Sequence, residues 1–248
     1  WRQISPPMKD KYLRMVEIGN QGSSDLGFSG LSDLWFSKYD MSNEEFSLLV
    51  DQVYEDMRPL YESLQCHVRA ELNDYYGDEI VPIDKPIPAH LLGNMWAQSW
   101  SNISDIVYDF DDTSSIDLTQ IILDRELSEV EMVEIAESFF LSLGFDPLTD
   151  TFWDRSLFVK PKDRDVVCHA SAWDIDSQKQ DLRIKMCIQK NEEDFITIHH
   201  ELGHIFYYQA YADLPEVFQS GANDGFHEAV GDLLSLSITP SYLKDIDF

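Results

Sequence analysis

The chain has 248 residues, 44% of them hydrophobic, with 46 acidic against 18 basic side chains and a net charge of −28 at neutral pH. That length and apolar content suit a globular protein with a sizeable core. The absence of any run of 18 apolar residues excludes a membrane-spanning helix, and the acidity argues against nucleic acid, whose binders carry basic patches. A solvated acidic surface accounts for the charge; attraction of basic peptides is the alternative. The chain opens on Trp1 rather than Met and shows no signal-peptide pattern. It is therefore expected to begin downstream of a translation start, so the lack of a leader says nothing about secretion. No internal repeat or low-complexity stretch is visible.

In chain order, a short helix is predicted over Met8 to Asn20. Ser42 with Glu45 reads as a capping box opening a long helix. Its apolar stripe, Phe46, Leu49, Val50, Val53, Met57, Leu60, Leu64, Val68 and Leu72, follows the 3.6-residue period and is expected to be core. Pro59 is expected to kink it. Cys66 lies off that stripe and is expected to be an unpaired thiol against a neighbouring element. A third helix is predicted over Ala89 to Val107, carrying Trp96 and Trp100, and Asn102-Ile103-Ser104 within it is a glycosylation sequon. A second capping box, Ser128 with Glu131, opens a helix ending at Gly144. Two strand-like runs follow, Val166 to Trp173 and Leu182 to Gln189, separated by a polar turn. Cys168 and Cys187 flank them at a spacing that suits a disulfide across a hairpin, which implies an oxidising compartment. Asn191 caps the next helix, with Glu192, Glu193 and Asp194 in its first turn, where the dipole favours acids. Another helix is predicted over Gly225 to Ile238, with Pro240 as its stop. The expected architecture is mainly α with one small β-hairpin.

The chemistry concentrates in His200-Glu201-Leu202-Gly203-His204. Residues four apart share one helix face, so His200 and His204 can offer two ring nitrogens to one ion. Glu201, next to the first of them, can reach a metal-bound water as general base, the arrangement of a zinc peptidase. The five residues alone also fit a helix with two histidines near a surface. A catalytic zinc needs a third protein ligand, and Glu228 supplies it from the second helix. Asp232, one turn on, can accept the outer N–H of a ligand histidine and fix its tautomer. Ile196, Ile198, Ile205 and Phe206 predict that the first helix is buried. A structural zinc would close its fourth position, which three ligands leave open.

Longer stretches resemble one family: Ile87 through Gln98, Cys168 through Asp174, His199 through His204, Gly221-Ala222-Asn223, and Gly225 through Ala229 with Gly231-Asp232. Together they look like the angiotensin-converting enzyme, or peptidyl-dipeptidase A, family of zinc metallopeptidases, with the whole of residues 1–248 matching an internal part of a longer catalytic domain. The resemblance implies an α-helical fold with a deep cleft, one zinc ion, and a secreted or membrane-anchored ectoenzyme that releases dipeptides from peptide C-termini. Any anchoring would be through segments outside this chain. By the same resemblance His200, His204 and Glu228 match the zinc ligands, Glu201 the general base and Asp232 the outer partner. Gln98, His169, Ala170 and Glu193 match substrate-binding positions, with Gln98 on the terminal carboxylate and His169 with the Ala170 strand on the backbone near the scissile bond. Arg2 resembles a chloride ligand on a two-residue match, which a surface arginine satisfies equally. Thr197 stands where relatives often have Val in a specificity pocket, Asp224 replaces a usual Pro, Cys66 is not a usual family cysteine, and the Cys168–Cys187 loop is one residue longer than typical. The histidine and tyrosine that stabilise the oxyanion in the family fall outside this chain. The alternatives to an active peptidase are a non-catalytic homologue that binds peptides or protein partners, or a segment with no activity of its own.

Overall fold

A computed structural model of the chain describes residues 2–108, 116–223, 225–246 and 248. Trp1 and Asp224, both singled out in the sequence, lie outside the described residues. The described chain is mainly α-helical with one two-stranded antiparallel sheet, and no described helix is long and apolar enough to cross a membrane. It divides into two compact units, Trp1–Ser115 and Ile116–Phe248.

The first unit opens with α1 (Ser5–Asp25), longer at both ends than predicted, with Pro6 and Pro7 in its first turn, where a missing N–H costs nothing. The unpredicted α2 (Leu31–Phe36) follows, tied to α1 by a hydrogen bond from Leu31 N to Asn20 Oδ1 (3.0 Å). The long helix is α3 (Asn43–Tyr76); it has the Ser42/Glu45 capping box and runs on through Pro59. The expectation for its stripe needs correction. Val68 and Leu72 are buried with Val81, Ile87, Leu92, Ile103 and Val107. Phe46 packs on Phe36 and Tyr39 at ring distances of 5.0 and 4.8 Å. From Leu49 to Leu64, however, the stripe is 38–65% exposed. The helical period says which face is apolar, and no described element covers that part of it. Cys66 is likewise unpaired and exposed rather than packed on a neighbour.

The predicted helix over 89–107 is not formed. The segment holds 3₁₀ turns at Ala89–Leu91 and Ser101–Ile103 and one α turn, α4 (Ser104–Val107). The cause is backbone geometry: Gly93 has φ 76° and Ala97 φ 56°, outside the helical region. The chain folds back so closely that a Cβ on Gly93 would run into the Ser99 carbonyl oxygen. Gln98 is therefore on irregular chain, its N–H bonded to Asn94 Oδ1 at 3.3 Å. Asn102 is exposed and donates from Nδ2 to Leu91 O (3.1 Å), and Arg2 is exposed near the start of the chain.

The second unit is built around one helix. Two short unpredicted helices, α5 (Leu118–Asp124) and α7 (Asp150–Arg155), flank α6 (Glu129–Ser142), which carries the Ser128/Glu131 capping box and ends at left-handed Gly144. The hairpin is shorter than predicted: β1 (Ser171–Asp176) pairs with β2 (Asp181–Lys185), Ala172 opposite Ile184, with a bulge between Asp174 and Asp176. Pairing stops at Ser171–Lys185, so Val166–Ala170 and Met186–Gln189 continue as irregular chain, and Ala170 is not in a strand. The Cys168–Cys187 disulfide, with Cα atoms 5.1 Å apart, closes the open end just beyond the last pair.

The central helix, α8 (Glu192–Ala212), starts where Asn191 Oδ1 accepts the Asp194 N–H (2.8 Å). Phe195, Ile198, Leu202, Ile205 and Phe206 on it are fully buried, and Phe206 stacks on Phe140 of α6 at 4.3 Å. Burying five such side chains contributes roughly 1.5–3 kcal/mol each, which fixes α8 firmly enough to serve as the frame for polar groups on its other face. α9 (Phe226–Ser235) packs along α8. Pro240 does not stop it; α9 ends at Ser235, and Pro240 is the first residue of another helix, α10 (Pro240–Asp245).

Candidate metal centre

α8 and α9 approach closely because glycines meet at their crossing. A Cβ on Gly203 would lie 2.9 Å from Gly231 Cα, and a Cβ on Gly231 would lie 2.9 Å from two atoms of the His200 ring. This proximity brings the acids of α9 to the histidines of α8. His200 Nε2 is 3.1 Å from His204 Nε2 and 3.2 Å from a Glu228 oxygen, and His204 Nε2 is 3.7 Å from the other Glu228 oxygen. The donor atoms of His200, His204 and Glu228 all fall within 4.8 Å of one another. Donors about 2.0–2.1 Å from a tetrahedral zinc stand about 3.3 Å apart, so the convergence matches what such an ion requires. On the far side of His200, Nδ1 is 3.0 Å from Asp232 Oδ1.

Glu201 is buried, and its Oε2 has no hydrogen-bond partner among the described residues. A buried carboxylate oxygen without a partner is costly, which marks a place for a group supplied from outside the chain. Burial, then the charge of Glu228, pushes the Glu201 carboxyl above its ordinary value, while His200, His169 and Lys185 pull it down. Burial, then His200, holds His204 below the usual histidine value, and burial, then His204, does the same to His227. Fully buried His199 is lowered to about 4 by burial; its Nδ1–H donates to Phe195 O (2.9 Å), and the ring faces the core, away from the donor cluster.

Two adjoining cavities flank the cluster, about 750 Å³ and about 340 Å³, and both are lined by His169, Ala170, His200 and Glu201. The larger adds Glu193, Thr197 and Asp232; the smaller adds Ser171, Ala172, His204 and Glu228. Of the residues singled out in the sequence, His169, Ala170, Glu193, His200, Glu201, His204, Glu228 and Asp232 thus share one trough in the second unit. Gln98, Asn102 and Arg2 belong to the first unit. The sequence reading missed His227, which contacts His204, and Lys185, whose charge acts on Glu201. His227 could have been noticed as the residue beside Glu228 and opposite three tyrosines of α8; Lys185 is brought in only by the hairpin register.

A sequence profile described as angiotensin-converting enzyme, peptidase M2, matches residues 1–248. The chain is 43% identical over its whole length to angiotensin-converting enzyme of Bos taurus, 41% over 97% of its length to that of Haematobia irritans exigua, and 41% over 99% to that of Theromyzon tessulatum. It spans 19%, 39% and 40% of the length of those three relatives. Residues 1–248 belong to the angiotensin-converting enzyme family.

Proposed function

We propose that residues 1–248 are part of the catalytic domain of an extracellular zinc peptidyl-dipeptidase, which releases dipeptides from the C-termini of oligopeptides. The observation that carries this reading is the convergence of His200, His204 and Glu228 beside the partnerless carboxylate of Glu201. These residues would hold one zinc ion, which, when bound, supplies a Lewis acid for the scissile carbonyl and for the attacking water. The chain's own residues do the rest. Glu201, buried beside the converging donors with an unpartnered oxygen, accepts the proton of the water and passes it to the leaving amine. Asp232 accepts the outer N–H of His200, so the hydrogen sits on Nδ1 and Nε2 is left unprotonated for the ion that His204 and Glu228 would share.

The trough fits a peptide lying along His169–Ala172. This segment, irregular at His169 and Ala170 and entering β1 at Ser171, offers backbone groups to an extended chain, the mode in which main-chain hydrogen bonds give affinity and side pockets give preference. Thr197 lines the larger cavity, where its hydroxyl, bonded to Glu193 O (2.9 Å), would favour a more polar side chain than Val would. By the resemblance alone, Gln98 would bind the terminal carboxylate of the substrate and Arg2 a chloride ion, while glycosylation at Asn102 rests on its Asn-Ile-Ser sequon.

The test is product analysis with the full-length protein. A blocked tripeptide with a free C-terminus should give a blocked amino acid and a dipeptide, and its C-terminal amide should be cut far more slowly. Cleavage that ignores the C-terminus, or release of single amino acids, refutes the dipeptidase assignment while leaving a zinc peptidase standing.

A further inference from the structure

The inner nitrogen of His204, Nε2, faces His200, so Nδ1 points out of the donor cluster. There it lies 3.3 Å from Nδ1 of His227. The other nitrogen of His227, Nε2, is 3.0 Å from the Tyr211 hydroxyl. The His227 ring is held in place by Tyr207 and Tyr208, at ring distances of 4.6 and 4.7 Å, and Tyr211 itself is buried.

We propose that His227, oriented by Tyr211, is a positioning residue that fixes the tautomer and ring direction of His204 for metal binding. The inference rests on the metal reading above. A histidine that binds through Nε2 keeps its hydrogen on Nδ1. Two Nδ1 atoms at hydrogen-bond distance can share only one hydrogen, so His204 donates and the His227 ring accepts, alongside the His227 backbone, which also interacts with His204. His227 then carries its own hydrogen on Nε2 and donates it to the Tyr211 oxygen. All hydrogens along His204–His227–Tyr211 point the same way, and reversing one reverses the rest and places a hydrogen on the inner nitrogen of His204.

The two ligand histidines are thereby held by opposite chemistries. His200 meets a carboxylate, Asp232, at 3.0 Å; His204 meets a neutral ring. The centre already gathers Glu201, Glu228 and Asp232, and a further carboxylate behind His204 would add a fourth negative charge. An imidazole orients the ring without adding one.

The experiment measures zinc affinity of the full-length protein by competition with a chelator, for the parent and for His227→Phe, His227→Asn and Tyr211→Phe. Loss of an outer partner costs a metal site about 10–100-fold in affinity. His227→Phe should show that loss, with thermal unfolding of the zinc-free protein unchanged. His227→Asn, whose amide oxygen can replace the accepting nitrogen, should recover most of it. Tyr211→Phe, which removes one oxygen, should fall toward the lower end of the range. Parent-like affinity in His227→Phe, or His227→Asn no tighter than His227→Phe, overturns the proposal. Should His227→Phe fail to fold, parent-like affinity in Tyr211→Phe overturns it instead. A parent that binds no zinc, or binds it equally well after His204→Ala, overturns the metal reading and this inference with it; a parent that binds normally confines any failure to His227.

Discussion

Replacing Gly231 by Ala adds one methyl group at the point where α9 crosses α8. The added carbon would lie 2.9 Å from His200 Cε1 and Nδ1 and 3.1 Å from Cγ, against about 3.5–4.0 Å for an ordinary carbon contact. About 0.6 Å or more of movement is needed, and neither side can yield without consequence. The His200 ring is held by Asp232 at 3.0 Å and stands 3.1 Å from His204, so shifting it disperses the donor atoms. Shifting α9 instead carries Glu228 and Asp232 away together, and the second glycine contact, Gly203 against Gly231, resists a slide along the crossing. Overpacking of this kind costs about 1–3 kcal/mol of stability, and the disturbed ligand geometry should weaken zinc by about the 10–100-fold seen when an outer partner is lost. The assay is chelator competition together with thermal unfolding of the metal-free protein. Gly22→Ala in α1 is the control: nothing lies within 4 Å of its added carbon, so it should stabilise by about 0.4–1 kcal/mol through the unfolded chain and leave zinc untouched. Parent-like zinc affinity and stability in Gly231→Ala would refute the view that glycine contacts set the approach of the two helices.

Asp232→Asn keeps the size of the group facing His200 Nδ1 but removes its charge and should weaken zinc about 10–100-fold, read by the same competition; unchanged binding would remove Asp232 from its assigned role. Reducing the Cys168–Cys187 bond, whose ends are 19 residues apart, should lower unfolding free energy by about 3 kcal/mol in the chain-entropy model, measured by denaturant titration with and without reductant. Asp181 bonds Arg183 twice at 2.7 Å and Arg155 at 2.9 Å, and these partners, Arg183 first, hold its carboxyl below the ordinary range. A carboxylate lowered on folding stabilises above its unfolded value of about 3.9 and ceases to as pH falls through the folded value. Acid unfolding of the parent should therefore include an increment below about pH 4 that Asp181→Asn lacks; identical acid limbs would show that the cluster contributes nothing.

The pairing of His200 with His204 and of Glu228 with Asp232 was legible because helical periodicity places i and i+4 on one face; that the two pairs meet depends on the glycine contacts at the crossing of α8 and α9. The Ser42/Glu45 and Ser128/Glu131 boxes and the Asn191 cap were legible for a similar reason: each is a local hydrogen bond between residues three apart. Failures came where the answer depended on distant chain. The α3 stripe from Leu49 to Leu64 has the period of a core face, yet period cannot say what covers it. Ala89–Val107 contains good helix formers, but Gly93 and Ala97 adopt positive φ to let the Ser99 carbonyl pack against Gly93. Pro240 was read as a stop, although proline is equally at home at the first position of a new helix. His227 escaped notice because its meaning depends on the crossing of α8 and α9, which brings it to His204.

Glu201 is the residue on which peptide hydrolysis at this centre depends most directly under the proposed function. In the full-length protein, Glu201→Gln should retain zinc on His200, His204 and Glu228 at parent stoichiometry, because the residue is not among the converging donors. Turnover of a blocked tripeptide should fall by at least about 100-fold, the lower bound for losing a general base. Cleavage at the parent rate, or loss of zinc together with activity, would contradict the assignment of Glu201 as the group that takes the proton from water.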